Sequence, residues 1–238
     1  MERLVYLFDV DGTLTRPMSG MEVSFAMRFI HWMKSKPVYI VAGSDKDKVY
    51  RQLPASIISR VSGVFCSSAN ELWQKDKLVY KNDWTPDSDF LEFLMELYRD
   101  SHFLTKGKNF IEKRTGMINF SIVGREASHE LRDIYFKWDD VNKEREDMAR
   151  KIRAYYPELE VCIGGQISID IYPKGQDKSQ ASKWVTKNLK KEMVFFGDKC
   201  YEGGNDYSIA NDIVERECGT YHQIGSCEQT LKILENKY

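Results

Sequence analysis

The segment Phe8-Asp9-Val10-Asp11-Gly12-Thr13-Leu14-Thr15 follows directly on the short apolar run Leu4-Val5-Tyr6-Leu7-Phe8. A run of this length without polar residues is typical of a strand that is buried on both faces of a sheet. The two aspartates therefore follow the carboxyl end of a buried strand, which is where open parallel sheets bind ligands. Because Asp and Gly are also ordinary turn formers, this segment needs partners elsewhere in the chain to indicate a site.

Two further apolar runs lead to reactive side chains in the same way. Val38–Val41 leads to Ser44, and Met193–Phe196 leads to Asp198. Helical patterns separate the runs, and strands that alternate with helices favour a parallel sheet with right-handed crossovers. Because the carboxyl ends of parallel strands share one sheet edge, we expect these side chains to lie close to Asp9.

The connecting helices are predicted from apolar periodicity and from capping residues. One is expected over residues 20–33, with Ser19 as its N-cap and Glu22 completing a capping box. Ser226 with Gln229 predicts a capping box for a helix at the carboxyl terminus. These helices would cover the faces of the parallel sheet.

The middle of the chain has a different pattern. Polar helical stretches, Phe90–Arg99 and Val141–Tyr155, mix with alternating pieces such as Met117–Ile122. Such alternation favours an antiparallel sheet with one solvated face. The predicted division is an α/β core of residues 1–82 and 174–238 and an inserted α+β domain of residues 83–173.

Composition excludes several classes of protein. With 42% hydrophobic residues among 238, the chain can bury a core, and a net charge of −1 provides no positive field for nucleic acid. No apolar run reaches the ~20 residues of a membrane helix, and the start of the chain lacks signal-peptide features. The five scattered cysteines predict free thiols in a reducing cytosol. We expect a cytoplasmic protein with no membrane or nucleic-acid partner.

The residues at the strand ends, together with Lys178, predict phosphoryl transfer. A carboxylate such as Asp9 can attack phosphorus and form an aspartyl-phosphate, which divides one difficult step into two. Because its charge repels phosphate, we expect a Mg²⁺ held by Asp9, Asp198 and the backbone carbonyl of Asp11. Lys178 would neutralise more charge, and Ser44 with nearby N–H groups would hold phosphate oxygens. Asp11 would act as general acid and then as general base.

These residues resemble the four motifs of the haloacid dehalogenase (HAD) superfamily, in which Asn205 and Asp206 support the last motif. The chain also resembles the eukaryotic-type phosphomannomutases over nearly its whole length, as a divergent member. The matching segments are Phe8–Thr15, Gly43–Asp45, Phe110–Glu112, Gly116–Asn119, Ile122–Arg125, Gly164–Ser168, Phe195–Lys199 and Gly203–Asp206. The resemblance implies a HAD-like Rossmannoid core with a parallel sheet and an inserted α+β cap domain with an antiparallel sheet.

The resemblance further implies interconversion of mannose 6-phosphate and mannose 1-phosphate, with a hexose 1,6-bisphosphate as intermediate and activator. One phosphate would react at Asp9 while the cap domain holds the other. Arg114 and Arg125 match the arginines that bind phosphate, and an arginine can clamp a phosphate bidentately. Ser168 and Asp170 match positions that bind phosphate and sugar hydroxyls, respectively. A homodimer through the cap domains is also implied.

The chain departs from the family pattern at positions near the expected substrate. Met18 replaces an arginine, Lys106-Gly107-Lys108 replaces another, Gln176 replaces a tryptophan, and Ser67–Glu71 differs from the usual Glu-Asn-Gly. Lys106 or Lys108 would restore part of the lost positive charge. Two alternatives therefore stay open: a HAD sugar-phosphate phosphatase, in which water intercepts the aspartyl-phosphate, and a regulatory homologue that senses a sugar phosphate.

Overall fold

A computed structural model describes residues 4–17 and 19–238, so Met18 lies outside the described residues. The chain divides into two compact units. The core comprises the chain up to Asn82 together with Gln176–Tyr238, and the cap domain comprises Asp83–Gly175. The second junction falls two residues later than the sequence analysis placed it, directly after Gly175, whose φ of +83° suits a glycine.

The first part of the core contains β1 (Leu4–Phe8), α1 (Val23–Trp32), β2 (Val38–Val41), α2 (Lys46–Gln52), α3 (Ala55–Ile58), β3 (Gly63–Cys66), β4 (Glu71–Gln74) and β5 (Lys77–Lys81). The cap domain contains α4 (Ser88–Asp100), β6 (Ile111–Arg114), β7 (Met117–Phe120), α5 (His129–Asn142), α6 (Glu144–Tyr155), β8 (Leu159–Gly164) and β9 (Ser168–Pro173). The core resumes with α7 (Ser179–Leu189), β10 (Glu192–Gly197), α8 (Tyr207–Glu215), β11 (Gly219–Gln223) and α9 (Cys227–Lys237).

The core sheet has the strand order β11-β10-β1-β2-β3-β4-β5. The strands from β11 to β3 run parallel, as predicted, whereas β4 and β5 extend the sheet as an antiparallel hairpin that the sequence analysis did not predict. Apolar side chains pack on both faces: Phe8 packs with Phe29 of α1, and Leu7 packs with Val185 of α7. Since β1 lies between β10 and β2, the segments that follow these three strands share one sheet edge.

The cap domain has an antiparallel sheet of order β6-β7-β9-β8. Alternate residues such as Ile118 and Ile169 are buried in a cluster that includes Tyr135 of α5. The residues between them form a polar row across the sheet, in which Asn119 pairs with both Glu112 and Asp170. This is the alternation expected of a sheet with helices on one face.

One predicted helix has different bounds. The pattern over Val141–Tyr155 indicated a single helix, but α5 ends at Asn142 and α6 begins at Glu144. Lys143 between them has a φ of 55°, and the buried Asp139 accepts hydrogen bonds from the backbone N–H and the Nε of Arg145 (2.8 and 2.7 Å). This side-chain bond satisfies a donor at the amino end of α6 and stabilises the break.

The two predicted capping boxes had different outcomes. Ser226 accepts from the Gln229 N–H (3.3 Å), so the predicted cap is confirmed, whereas the Gln229 side chain accepts from the Gly225 N–H (2.7 Å), one residue before the N-cap that a capping box would use. The first was wrong, because α1 has Glu22 at its N-cap position, without a side-chain capping bond. Within the described residues, every helix is too short or too polar to span a lipid bilayer.

Candidate active site

The turn after β1 is fixed by backbone hydrogen bonds. The Asp9 N–H donates to the Phe196 carbonyl of β10 (2.9 Å). The Leu14 and Thr15 N–H groups donate to the Val10 carbonyl (3.0 and 2.9 Å). The turn is therefore ordered by its own backbone and by the neighbouring strand, and it presents Asp9 at the sheet edge.

Lys178 lies between two buried carboxylates at this edge. Its Nζ donates to Asp9 Oδ1 and to Asp206 Oδ1, each at 2.6 Å. The three side chains are almost wholly inaccessible, with exposures of 1% for Lys178, 6% for Asp9 and 0% for Asp206. Asp206 Oδ2 also accepts from the Lys199 N–H (3.1 Å), so Asp206 holds the lysine in place.

The charges at this site do not balance. Burial lowers the pKa of Lys178 taken alone, but the charges of Asp206 and Asp9 outweigh that effect and raise it, so the lysine is cationic. Burial and the charge of Asp206 raise the pKa of Asp9, and the same two causes raise the pKa of Asp198 to about 6. One lysine therefore faces three carboxylates, and the site carries excess negative charge.

Asp9, Asp198 and Asp206 each bring one carboxylate oxygen within 4.8 Å of the others. Hard oxygen donors and a negative charge fit a divalent cation such as Mg²⁺. Because both oxygens of Asp206 already accept hydrogen bonds, Asp9 and Asp198 are the better ligands. The Asp11 carboxylate is bonded to α2 instead, and the predicted role of its backbone carbonyl stays a prediction.

Gly12 brings the first turn against Asp198. Its φ is +91°, and a Cβ at this position would lie 2.4 Å from Asp198 Oδ2. A side chain would therefore be strained in its backbone and would displace the carboxylate. The glycine of the first motif is required here for close approach.

Asp11 and Ser44 are linked through residues that the sequence analysis did not single out. Lys48 Nζ donates to Asp11 Oδ2 (2.8 Å) and to Ser44 Oγ (3.0 Å). Gln52 Nε2 donates to Asp11 Oδ1 (2.7 Å). Ser44, Lys48 and Gln52 are spaced four residues apart, so helical periodicity was a signal that could have found them.

The polar row of the cap domain holds two arginines around one carboxylate. Glu112 Oε2 accepts from Arg114 Nε (3.0 Å) and forms an ion pair with Arg125 Nε (2.8 Å). Burial lowers the pKa of Arg125, and so does the neighbouring charge of Arg114. A single glutamate therefore orients two guanidinium groups and leaves positive charge in excess.

A third arginine adds to this cluster. Arg132 donates from Nε to the Ala127 carbonyl (2.9 Å) and from Nη2 to the Arg125 carbonyl (2.5 Å), and its charge also lowers the pKa of Arg125. The sequence analysis missed it because it did not predict α5. An arginine in the first turn of a helix, where the dipole disfavours cations, was the available signal.

Asp170 and Ser168 both lie on β9, and their side chains have different partners. Asn119 Nδ2 donates to Asp170 Oδ1 (2.5 Å), and Asp170 acts on Arg125 electrostatically. The Ser168 hydroxyl donates to the Gly164 carbonyl within its own hairpin (2.9 Å). Asp170 thus belongs to the charged cluster, whereas the Ser168 hydroxyl donates its proton to the backbone of its own hairpin.

Comparison with known proteins identifies the family of this chain. A profile of the eukaryotic phosphomannomutase family matches residues 27–238. A phosphomannomutase of Solanum lycopersicum is 35% identical over 237 residues, covering 96% of this chain and 92% of that protein. The chain belongs to the eukaryotic phosphomannomutase family. A phosphomannomutase of Drosophila melanogaster is 32% identical over 223 residues, covering 89% of this chain and 87% of the relative.

Solved structures share the HAD fold with this phosphomannomutase family member. The C-terminal domain of a Candida albicans trehalose-6-phosphate phosphatase aligns with a TM-score of 0.66 at 14% identity, over 98% of this chain and 90% of that domain. A phosphatase of the HAD superfamily from Bacteroides thetaiotaomicron aligns with a TM-score of 0.61 at 16% identity, over 97% and 94%. At these identities the likeness supports the fold.

The departures from the phosphomannomutase pattern have local explanations. A Cβ at Gly107 would lie 2.0 Å from the Val123 carbonyl oxygen, so no side chain fits there. Lys106 Nζ donates to the Arg99 carbonyl at the end of α4 (2.6 Å). One donor of the Lys106 ammonium group is therefore bonded to a helix end, and the expectation that Lys106 or Lys108 restores part of the missing charge stays a prediction.

The altered segment after β3 keeps its contacts with the core. Ser67, Ser68 and Ala69 have φ values of 51°, 55° and 65°, and the Ser67 N–H donates to the Ser44 carbonyl (2.8 Å). Asn70 Nδ2 donates to the Gln176 carbonyl (3.2 Å). With these residues, the segment after β3 is hydrogen-bonded to Gln176, two residues before Lys178.

Proposed function

We propose that the chain is a magnesium-dependent phosphomannomutase that interconverts mannose 6-phosphate and mannose 1-phosphate. The observation that carries this proposal is the arginine cluster around Glu112 in a chain that also has a buried aspartate nucleophile. A monophosphate hydrolase needs one phosphate site, whereas a mutase with a bisphosphate intermediate needs two. Family membership over nearly the whole chain supports the same reaction.

In the first half-reaction, an oxygen of Asp9 attacks the phosphorus of hexose 1,6-bisphosphate. The bond between phosphorus and Asp9 forms, the bond between phosphorus and the sugar oxygen breaks, and Asp11 donates a proton to that oxygen. Lys178 binds Asp9 Oδ1, so we assign the attack to Oδ2. Asp9 and Asp198, with the Asp11 carbonyl, would hold the Mg²⁺, which would neutralise charge between carboxylate and phosphate.

In the second half-reaction, a hydroxyl of the sugar monophosphate takes the phosphoryl group from Asp9. Asp11 removes the proton from that hydroxyl, and Lys178 again neutralises the carboxylate that is released. Arg114 and Arg125 bind the phosphate that does not react, with Arg132 adding charge, and Asp170 and Ser168 contact the sugar and phosphate. Ser44 holds oxygens of the transferred phosphoryl group, and Asn205 and Asp206 support the metal-binding segment.

A phosphatase that acts on sugar phosphates is the second candidate. The observation in its favour is Gly107, where close packing against Val123 excludes any cationic side chain. A cap domain with one phosphate contact fewer would retain the bisphosphate less well, and water would then compete for the aspartyl-phosphate. The two functions share every step up to the phosphorylation of Asp9.

One assay distinguishes the two functions. Purified protein with Mg²⁺ is given mannose 1-phosphate, with and without a trace of hexose 1,6-bisphosphate, and mannose 6-phosphate and inorganic phosphate are both measured. The mutase predicts isomerisation that depends on the bisphosphate, with little phosphate release. Phosphate release without isomerisation would contradict the mutase and support the phosphatase.

We further propose a cytosolic homodimer that contacts through the cap domains. The five cysteines, all within the described ranges, are free, which supports a reducing cytosol. The dimer is supported by α5, which exposes the apolar side chains of Ile134 (51%) and Val141 (80%) one heptad apart. Light scattering of the wild type and of Val141→Asp tests the dimer. A wild-type mass of one chain, or an unchanged dimer in the variant, would contradict this interface.

A further inference from the structure

One face of α2 carries two donors that both contact the carboxylate of Asp11. Lys48 Nζ binds Oδ2 at 2.8 Å, and Gln52 Nε2 binds Oδ1 at 2.7 Å. The two donors are more shielded from solvent than the carboxylate, since the Lys48 side chain is 19% exposed, Gln52 is 7% exposed and the Asp11 side chain is 33% exposed. A carboxylate held at both oxygens from one rigid helix has little freedom to rotate.

The orientation of the Gln52 amide is determined by its surroundings. Its Nε2 faces Asp11 Oδ1, Thr15 Oγ1 at 3.4 Å and the Ser19 carbonyl at 3.3 Å. An amide oxygen in this position would face the carboxylate and the carbonyl, and none of these three oxygens can donate a hydrogen bond. The nitrogen therefore faces Asp11, and Gln52 also ties the turn after β1 to the segment that follows it.

Lys48 joins this contact to the phosphate-binding serine. The same Nζ that binds Asp11 lies 3.0 Å from Ser44 Oγ. We propose that Lys48 and Gln52 are positioning residues, which hold the Asp11 carboxylate in the orientation for proton transfer and keep it in register with Ser44. This inference deepens the proposed function and rests on the role assigned there to Asp11.

The chemistry of the leaving group makes this role measurable. When the bond between phosphorus and a sugar oxygen breaks, the electron pair goes to that oxygen, and the proton of Asp11 neutralises it. An alkoxide is a poor leaving group and needs this proton, whereas 2,4-dinitrophenolate leaves without one. Misplacing Asp11 should therefore slow phosphoryl transfer from hexose 1,6-bisphosphate to Asp9 and spare transfer from 2,4-dinitrophenyl phosphate.

The test compares single turnovers of the full chain with Mg²⁺ and enzyme in excess over each substrate. Gln52→Leu and Lys48→Met are each expected to slow phosphoryl transfer from hexose 1,6-bisphosphate to Asp9 about 10- to 100-fold, part of the 10²–10⁴ of general acid catalysis. The burst of 2,4-dinitrophenolate should stay within about threefold of wild type, since that step needs no proton. Lys48→Arg, which keeps a cationic donor, should recover part of the loss.

Matched variants separate positioning from general damage. Lys46→Met changes a lysine of the same helix whose Nζ lies 3.8 Å from the Trp73 ring centroid, away from Asp11, and should leave both rates unchanged. Ser44→Ala removes a proposed phosphate contact and should slow both substrates together. Gln52→Asn, with a shorter amide, serves as the second variant if Gln52→Leu does not fold, as judged by thermal unfolding.

Equal losses for the two substrates in Lys48→Met and in the folded Gln52 variant would overturn the positioning role. So would an unchanged rate of phosphoryl transfer from hexose 1,6-bisphosphate in both variants. Failure of the proposed mutase function has a different signature, because a wild type that releases phosphate without isomerisation still transfers a phosphoryl group from the bisphosphate to Asp9. In that case, the rates of the variants with the sugar phosphate and with 2,4-dinitrophenyl phosphate can still be compared, with phosphate release as the measurement.

Discussion

In the core one lysine lies between carboxylates, whereas in the cap domain one carboxylate lies between arginines. Lys178 faces Asp9 and Asp206, and the acidic cluster keeps excess negative charge. Glu112 faces Arg114 and Arg125, and that cluster keeps excess positive charge. In both units the single opposite charge fixes the geometry, and the uncompensated charge sets the sign of the ligand.

The difference in burial explains what each cluster can do. The lysine and carboxylates of the core are almost inaccessible, so a nucleophile there has one geometry and a cation has a strong attraction. The cap cluster is more open, with Arg125 and Glu112 about 30% exposed, which suits a ligand that must enter, turn and leave. Chemistry is expected to depend on the core, and affinity for the second phosphate on the cap domain.

The largest expected effect is the loss of the proposed nucleophile. Asp9→Asn keeps the shape of the side chain but cannot form an aspartyl-phosphate, so turnover should fall by about 10⁴-fold or more. The measurement is the release of 2,4-dinitrophenolate and the formation of mannose 6-phosphate. Asp140→Asn, an exposed carboxylate of the cap domain, is the control and should keep both rates. Residual turnover above about 1% in Asp9→Asn would assign the nucleophile elsewhere.

A side chain at position 12 should break the core cluster without touching the cap domain. Gly12→Ala would place a Cβ 2.4 Å from Asp198 Oδ2, so we expect Mg²⁺-dependent turnover to fall about 100-fold. Gly203→Ala is the matched control, because Gly203 has a similar φ of +85° and nothing within 4 Å of the added atom. It should cost about 1 kcal/mol of stability through its backbone and leave turnover nearly unchanged. Equal losses of turnover would show that backbone strain alone matters.

Arg125 tests the cap domain in isolation. Arg125→Ala should raise the KM for hexose 1,6-bisphosphate about 10- to 100-fold, the expected loss of a bidentate phosphate contact. Hydrolysis of 2,4-dinitrophenyl phosphate, which has no second phosphate, should be unchanged. The KM of Arg125→Lys for hexose 1,6-bisphosphate should lie between those of the wild type and Arg125→Ala, since lysine keeps the charge and lacks the forked guanidinium group. Arg150→Ala, at an exposed arginine of the cap domain, is the control. An equal effect of Arg125→Ala on hydrolysis of 2,4-dinitrophenyl phosphate would contradict the assignment of chemistry to the core and of second-phosphate affinity to the cap domain.

The smallest effect is a dependence of stability on pH and metal. Burial and Asp206 raise the pKa of Asp198 from its usual 3.8 to about 6, so the metal-free folded state holds a proton there that the unfolded chain has lost. The contribution of Asp198 to stability is therefore present below pH 4 and is lost as the pH rises through about 6. Mg²⁺ should raise the unfolding temperature more at pH 7.5 than at pH 5.5, and Asp198→Asn should reduce that difference, with the remainder due to Asp9, whose pKa is also raised. An equal metal-induced shift at both pH values would contradict it.

Much of the core could be predicted from the sequence because its signals are local. A buried strand followed at once by Asp9 places the aspartate at a sheet edge whatever the rest of the chain does. The hairpin of β4 and β5 and the division between α5 and α6 could not, since they depend on pairing and on a buried contact between Asp139 and Arg145. Helix and strand propensities do not report such tertiary contacts.

The same distinction holds for the sites. Lys178 could be found by resemblance, but its position between Asp9 and Asp206 joins segments 169 and 28 residues apart. The contacts of Lys48 with Asp11 and Ser44 require the turn and the helix to be placed together in space. Spacing identifies residues on one helical face, and only packing identifies what that face contacts.

The most direct measurement follows the phosphoryl group that Asp9 receives. Protein with Mg²⁺ is phosphorylated with hexose 1,6-bisphosphate carrying labelled phosphate, then mixed with unlabelled mannose 1-phosphate, and the label is counted in sugar and in inorganic phosphate. We predict that label returns to sugar over water by at least about ten to one, which corresponds to 1.4 kcal/mol in relative barrier. Label that appears mainly as inorganic phosphate, at a rate unaffected by the sugar, would contradict the mutase.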